Sequence, residues 1–208
     1  MFPPDDAEKS HFYTFVNLDF HLTFTSMGLR NRNDFLVENC FFLTTSSWNF
    51  LQVFISDSYF RILADSLKFV ANKYEADYLG YVLMPNHLHI IVYFKKENQL
   101  SNLMRDFKKF TSVEIRRLVE NEGRSELLQK LRYSHREQKL KIWQDRFDDV
   151  CIRSRKVLET KLNYIHGNPL QENWNLVSSP EQYTYSSAGF YETGIQNNLD
   201  VIHYREYF

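Results

Sequence analysis

Between Tyr81 and Phe94 the chain reads Tyr-Val-Leu-Met-Pro-Asn-His-Leu-His-Ile-Ile-Val-Tyr-Phe, two runs of strand formers broken by a Pro-Asn pair. Pro presets the first dihedral of a tight turn and Asn tolerates the second, so the pattern predicts two strands joined at Pro85-Asn86. Side chains alternate between faces along a strand. Leu88, Ile90, Val92 and Phe94 therefore make one wholly apolar face, suited to packing against helices. His87, His89, Ile91 and Tyr93 make the other, which opens with two neighbouring imidazoles. A core has no packing use for such a pair, whereas a metal site does.

The rest of the pattern places this hairpin within a fold. Cys40–Thr45 is rich in strand formers and predicts a first core strand. Asp57 is a good N-cap, after which Phe60, Leu63, Leu67, Val70 and Tyr74 recur at helical spacing. Ala76–Leu83 and His87–Phe94 are the second and third strands. Ser101 can cap a second helix that turns Leu103, Phe107, Phe110 and Leu118 inward and ends or kinks at Gly123. Residues 123–147 read as a charged, partly helical insertion with Trp143 packed down. A short fourth strand over Asp149–Arg153 precedes a last helix, Arg155–His166, burying Leu158, Leu162 and Ile165. The order strand–helix–strand–strand–helix–strand–helix is that of an α+β, ferredoxin-like antiparallel sheet. Its two crossing helices cover one face, and the imidazoles lie on the other, open face.

The termini are less regular. Residues 1–36 are expected to form an N-terminal extension, in which His11–Phe24 alternates loosely like a strand and Arg30–Asp34 is polar. Residues 192–208 are expected as a C-terminal tail.

Composition adds bounds. With 208 residues, 18 Phe and 13 Tyr, the chain can build one sizeable core. Cys40 and Cys151 stand in no metal-binding spacing and read as reduced thiols. No apolar run reaches membrane-spanning length and the acidic start lacks signal-peptide order, so a soluble, cytoplasmic protein with no membrane partner is expected. The net charge of −1 conceals a polarity: residues 1–100 carry −3, residues 101–156 carry +6 and residues 157–208 carry −4. A basic middle between acidic flanks suits a polyanion. Arg105, Lys108, Lys109, Arg116 and Arg117 line the outer side of the second helix.

A second chemical motif is Tyr164-Ile165-His166-Gly167-Asn168-Pro169. At about 100° per residue, Lys161, Tyr164 and Asn168 share a helix side displaced from the buried stripe. Tyr164 is thereby placed at the edge of the core. Two neutral imidazoles and an amide oxygen suit a divalent ion that keeps positions open for phosphate oxygens. A tyrosine can act as nucleophile and store a phosphodiester's energy in a covalent intermediate.

His87-Leu88-His89 after Met84-Pro85-Asn86, followed by Tyr164–Pro169, resembles the IS200-like single-tyrosine transposases of the His-hydrophobic-His nuclease superfamily. More narrowly, the chain is similar to the REP-associated tyrosine transposases. The resemblance runs from about Cys40 to Tyr191, within a domain placed at 37–191. It includes Asp65-Ser66-Leu67, Arg105–Ser112 and Glu181–Ala188. It implies that His87, His89 and Asn168 bind a divalent metal, Mg²⁺ or Mn²⁺. It implies that Tyr164 attacks single-stranded DNA, leaving a 5′-phosphotyrosine and a free 3′-hydroxyl. Hairpin or REP-like palindromes are the implied substrates, handled by a monomer or a homodimer. In this light Arg105, Lys108, Lys109, Arg116, Arg117 and Lys161 are expected to contact the DNA backbone. The alternative is a domesticated, non-catalytic nucleic-acid-binding module on the same fold.

Overall fold

The computed structural model describes residues 39–97, 99–134 and 139–208, which belong to one compact unit. The expected extension over 1–36, with His11 and His21, lies outside the described residues, as does His135. Strands β1 (Cys40–Ser46), β2 (Ala76–Leu83) and β3 (His87–Phe94) fall where the alternation puts them. A short β6 (Asp148–Cys151) completes a four-stranded antiparallel sheet of order β2-β3-β1-β6. Helices α1 (Asp57–Tyr74) and α2 (Leu100–Asn121) provide the two crossovers. This is the ferredoxin-like plan.

The two faces of β3 carry different loads, as its alternation requires. Leu88, Ile90, Val92 and Phe94 pack beneath α1 and α2 with Leu63, Leu67, Leu103 and Phe107. Ser56, in extended conformation, occupies the N-cap of α1 that was expected at Asp57, and Glu75 ends the helix with φ +50°. In α2 the stripe differs from expectation at one position: Phe110 is half exposed, and Thr111 and Ile115 are buried. The Thr111 hydroxyl donates to the Phe107 carbonyl at 2.7 Å and accepts from Trp143 Nε1 at 2.9 Å. Both of its polar capacities are satisfied internally, so a polar side chain can hold the inner place.

The insertion is folded onto that same side. It comprises α3 (Ser125–Leu131) and the strands β4 (Arg132–Ser134) and β5 (Lys139–Leu140), before Trp143 enters the core against Phe54 and Phe107. Lys108 anchors its return. The ammonium donates to the carbonyls of Gln144 and Arg146, each at 2.9 Å, and lies over the Phe147 ring. Burial lowers its pKa to about 8.

The second face, expected to be open, is instead covered by α4 (Arg155–Gly167), whose N-terminus is capped by Ser154 and whose apolar stripe needs a surface to bury against. Leu158, Leu162 and Ile165 pack on Phe42, Leu79, Val82, Met84 and Ile91. The approach is close because β2 offers Gly80 beneath the helix: a Cβ there would lie 2.5 Å from Leu162 Cδ1. The stretch expected as a C-terminal tail is built into the fold, with Leu199, Val201 and Tyr204 buried. Its preceding segment runs along β2, where Leu83 N–H donates to the Tyr185 carbonyl and the Tyr183 hydroxyl to the Leu83 carbonyl, each at 2.8 Å. Apolar side chains spaced without period can anchor irregular backbone in this way, and periodicity does not report them. A short α5 (Ala188–Thr193) lies within this segment.

His166 is buried on this face, its Nε2 2.8 Å from the Ser187 hydroxyl. Burial penalises the imidazolium and lowers its pKa to about 3.

Two outcomes follow from this packing. Gly80→Ala should cost about 1–3 kcal/mol in urea unfolding, because the new methyl meets Leu162 in a filled interface. An unchanged midpoint would mean that α4 is not seated as described. For His166, the folded pKa lies below the unfolded value, so the unfolded chain binds a proton first as pH falls. Stability from this group is therefore lost from about pH 6.5 down to about 3. His166→Gln should reduce the slope of unfolding free energy against pH in that window by about 1.4 kcal/mol per pH unit, one proton's worth.

Candidate metal and tyrosine site

The site is assembled from the start of β3, the end of α4 and the strand β1 that pairs with β3. The antiparallel register of β1 and β3 sets Thr44 opposite His89 and Ser46 opposite His87. Thr44 Oγ1 lies 2.7 Å from His89 Nδ1. Phe42, two residues along the same face, stacks on the His89 ring with centroids 5.4 Å apart. His87 and His89 meet edge to face at 4.8 Å.

The tautomer of His87 is set by a chain of hydrogen bonds. Asn86 Nδ2 donates to the Phe50 carbonyl at 3.0 Å, which leaves Asn86 Oδ1 as the acceptor 2.6 Å from His87 Nδ1. His87 Nδ1 therefore carries the proton. Burial also lowers its pKa to about 4, so near neutral pH Nε2 presents a bare lone pair. That lone pair faces Asn168 Oδ1 at 3.4 Å. The orientation of the Asn168 amide is set in turn by Nδ2, which donates to the Tyr164 carbonyl at 3.4 Å. Two acceptors thus face each other with no proton between them, a contact that a cation would turn attractive. His89 is nearly inaccessible, and burial together with the neighbouring His87 and Lys161 holds it well below the ordinary imidazole range.

This arrangement supplies two neutral imidazoles and one amide oxygen, with the Nδ1 atoms occupied by Asn86 and Thr44. Partners of that kind orient metal-ligating histidines. Among the described residues, no three His, Cys, Asp and Glu side chains gather at a metal-sized site, so the third ligand here would be the neutral amide.

Tyr164 lies beside this group. Its ring centroid is 5.3 Å from that of His89 and 6.2 Å from that of Phe42, and 46 % of the residue remains exposed. The Lys161 ammonium sits 4.7 Å over Phe42. The spacing of Lys161, Tyr164 and Asn168 therefore does bring them to the histidines. Asn168 stands where α4 gives way to a tighter turn, Asn168–Leu170, as the following proline favours.

The cations of α2 are not part of this cluster. Their helix packs on the opposite side of the sheet with α1. Arg105 is tied to Asp106, Arg116 to Glu120 and Arg117 to Glu114. Lys108 is committed to the carbonyls of the insertion, a structural role that its place in a basic run did not disclose. Lys109 is exposed on the outer side of the helix.

Asn86, Thr44 and Trp174 are members of the site that residue patterns alone did not bring forward. The sequence pattern gives Asn86 a place in the turn and in the motif before His87, but not its bond to His87 Nδ1. The partner of Thr44 depends on strand register, and Trp174 reaches His87, at 5.9 Å between centroids, from a loop beyond α4.

No helix among the described residues is long and apolar enough to cross a membrane. No curated protein matches the sequence. Among solved structures, a REP-associated tyrosine transposase bound to a REP hairpin superposes with a TM-score of 0.57 at 18 % identity, covering 83 % of this chain and 91 % of that one. A candidate transposase from Deinococcus radiodurans R1 aligns with a TM-score of 0.43 at 12 % identity, over 67 % and 97 % of the two chains. At these identities the first likeness speaks for the fold. The profile of the family described as "Transposase IS200 like" matches residues 51–168, more than half of the chain, and spans both the paired histidines and the Tyr164–Asn168 turn. The chain belongs to the IS200-like transposase family.

Proposed function

We propose that this protein cleaves and rejoins single-stranded DNA through a 5′-phosphotyrosine formed on Tyr164, with a divalent cation held by His87, His89 and Asn168. The observation that carries this reading is the half-exposed Tyr164 ring set against two buried, neutral imidazoles. A binding module would have no use for a phenol beside such a pair. Mg²⁺ or Mn²⁺ at this position would polarise the scissile phosphate and offset the charge developing on it.

The chain's own residues do the rest. Tyr164 Oη forms a bond to phosphorus as the bond from phosphorus to the 3′ oxygen breaks. The phenolic proton passes to solvent, which reaches the half-exposed ring. The leaving oxygen keeps the bonding pair and takes up a proton, giving a free 3′-hydroxyl. Reversal by the same or another 3′-hydroxyl restores a phosphodiester and frees Tyr164, so no external energy source is needed. His87 is held in its ligating tautomer by Asn86, and Asn168 is aimed by the carbonyl of the very residue that attacks.

The substrate we infer is a DNA hairpin or REP-like palindrome, supported by the hairpin bound to the structural neighbour. Lys161 is close enough to the site to meet a backbone phosphate near the cleavage point. The α2 cations would act farther away, on a stem, with Lys109 the most available of them. A protein that acts on DNA in this way is inferred to be cytoplasmic.

Incubation with end-labelled single-stranded hairpin DNA and Mg²⁺ or Mn²⁺ should yield a denaturation-resistant adduct, absent with EDTA and absent in Tyr164→Phe. An adduct in Tyr164→Phe would assign the nucleophile elsewhere, and wild-type binding without any adduct would favour the non-catalytic module. For the cations, Lys109→Ala should lower the slope of log affinity against log salt by about one phosphate contact. Lys108→Ala should instead lower the melting temperature, since it strips a donor from the carbonyls of Gln144 and Arg146. Equal salt slopes for wild type and Lys109→Ala would remove α2 from the DNA-binding surface.

A further inference from the structure

The loop following α4 carries a feature that the cleavage chemistry does not use. Trp174 is only partly buried against the second core, and its ring lies 5.9 Å from that of His87. The loop is a built turn: Trp174 N–H and Asn175 N–H both donate to the Gln171 carbonyl at 2.8 Å, and Leu176 N–H donates to the Pro169 carbonyl at 2.9 Å. Asn175 adopts φ +44°, which turns the chain back toward Pro169. The backbone that carries Trp174 is therefore held by hydrogen bonds to Gln171 and, through Leu176, to Pro169, the residue next to Asn168.

The rings form a sequence. Tyr164 contacts His89, His89 contacts His87, and His87 contacts Trp174, with centroid separations of 5.3, 4.8 and 5.9 Å. Tyr164 and Trp174 thus adjoin opposite members of the histidine pair. In an in-line displacement the leaving oxygen departs from the side of phosphorus opposite the attacking oxygen. A phosphate centred on the histidines and attacked from the Tyr164 end sends its 3′ oxygen toward the Trp174 end. The nucleotide that carries that oxygen brings its base with it, and every base has a π-face that the uncovered part of an indole can stack on.

We propose that Trp174 stacks on the base of the nucleotide immediately 5′ of the scissile phosphate, retaining the cleaved 3′ end in the site. The proposal rests on Tyr164 being the nucleophile. After cleavage the 5′ end is covalently bound to Tyr164, but the 3′-hydroxyl fragment has no bond to the protein. Rejoining requires that this fragment stay. A stacking residue on the leaving-group side meets that need, tolerates any base, and adds no charge beside the metal ligands.

The test uses the full chain and single-stranded hairpin oligonucleotides carrying 2-aminopurine at single positions. Wild-type adduct formation first maps the cleaved bond, and emission is then read in the chemically silent Tyr164→Phe protein. Binding should quench 2-aminopurine most strongly just 5′ of the mapped bond. Adding Trp174→Leu should relieve that quenching and weaken binding about tenfold or more with the salt slope unchanged, while Trp174→Phe retains most of both. In the active protein, Trp174→Leu should release the 3′-hydroxyl fragment faster and rejoin less. Quenching at that position in the Trp174→Leu protein, or quenching confined to the 3′ side, overturns the proposal. A tryptophan that merely packs on His87 would leave the 2-aminopurine signal unmoved, which also overturns it. An adduct together with Trp174-independent emission sinks this inference alone, whereas the absence of any wild-type adduct sinks the Tyr164 reading and this one with it.

Discussion

The close seating of α4 on the sheet is the constraint on which the rest depends. Tyr164 and Asn168 lie on one side of that helix, and the histidines lie on the neighbouring strand face. The two sets meet only if helix and sheet approach to within side-chain contact. Gly80 permits this by leaving the space that Leu162 fills. Leu158 and Ile165 extend the same contact along the helix, over the second core. The interface that stabilises the fold thus also sets the distance between Tyr164 and the histidine pair.

Burial then does chemical work on the histidines. An imidazolium in this environment would be poorly solvated, so His87 and His89 are held neutral near physiological pH. Neutrality alone leaves open which nitrogen carries the proton. For His87 that is decided by an amide whose own orientation is set by a main-chain carbonyl, from Phe50 through Asn86. The same logic recurs at Asn168, aimed by the carbonyl of Tyr164. Backbone groups therefore define the polarity of the site, and the side chains transmit it.

Electrostatics divides the molecule. The basic middle of the chain lies on α2 and the insertion, whereas the elements of the candidate site come from the hairpin and the last core helix. Several of its charges are already matched by Glu114, Glu120 and Asp106, and pairs of this exposure contribute little to stability. The local surplus of charge suits a polyanion, while no single cation of α2 marks a contact.

Much of this was legible from residue order. Period-two alternation in His87–Phe94 distinguished the apolar face from the histidine face, and the structure keeps that division. Helical spacing put Lys161, Tyr164 and Asn168 on one side, and the element order specified the ferredoxin-like sheet. Periodicity succeeds there because it separates a wholly apolar face from one that carries polar groups, and α4 then buries much of the second face as well. It fails where a polar group is satisfied internally, as Thr111 is by Phe107 and Trp143, which left Phe110 outside. It is also blind to partners distant in sequence. Lys108 looked like a surface cation until the insertion's carbonyls folded over it. Thr44 acquired His89 only through strand register, and Trp174 reached His87 only because the chain turns back after Pro169. Local composition and spacing determined the elements and their chemical faces. Which groups touch, which nitrogen is protonated and which cation is already engaged were decided by tertiary packing, because those are properties of pairs and not of positions.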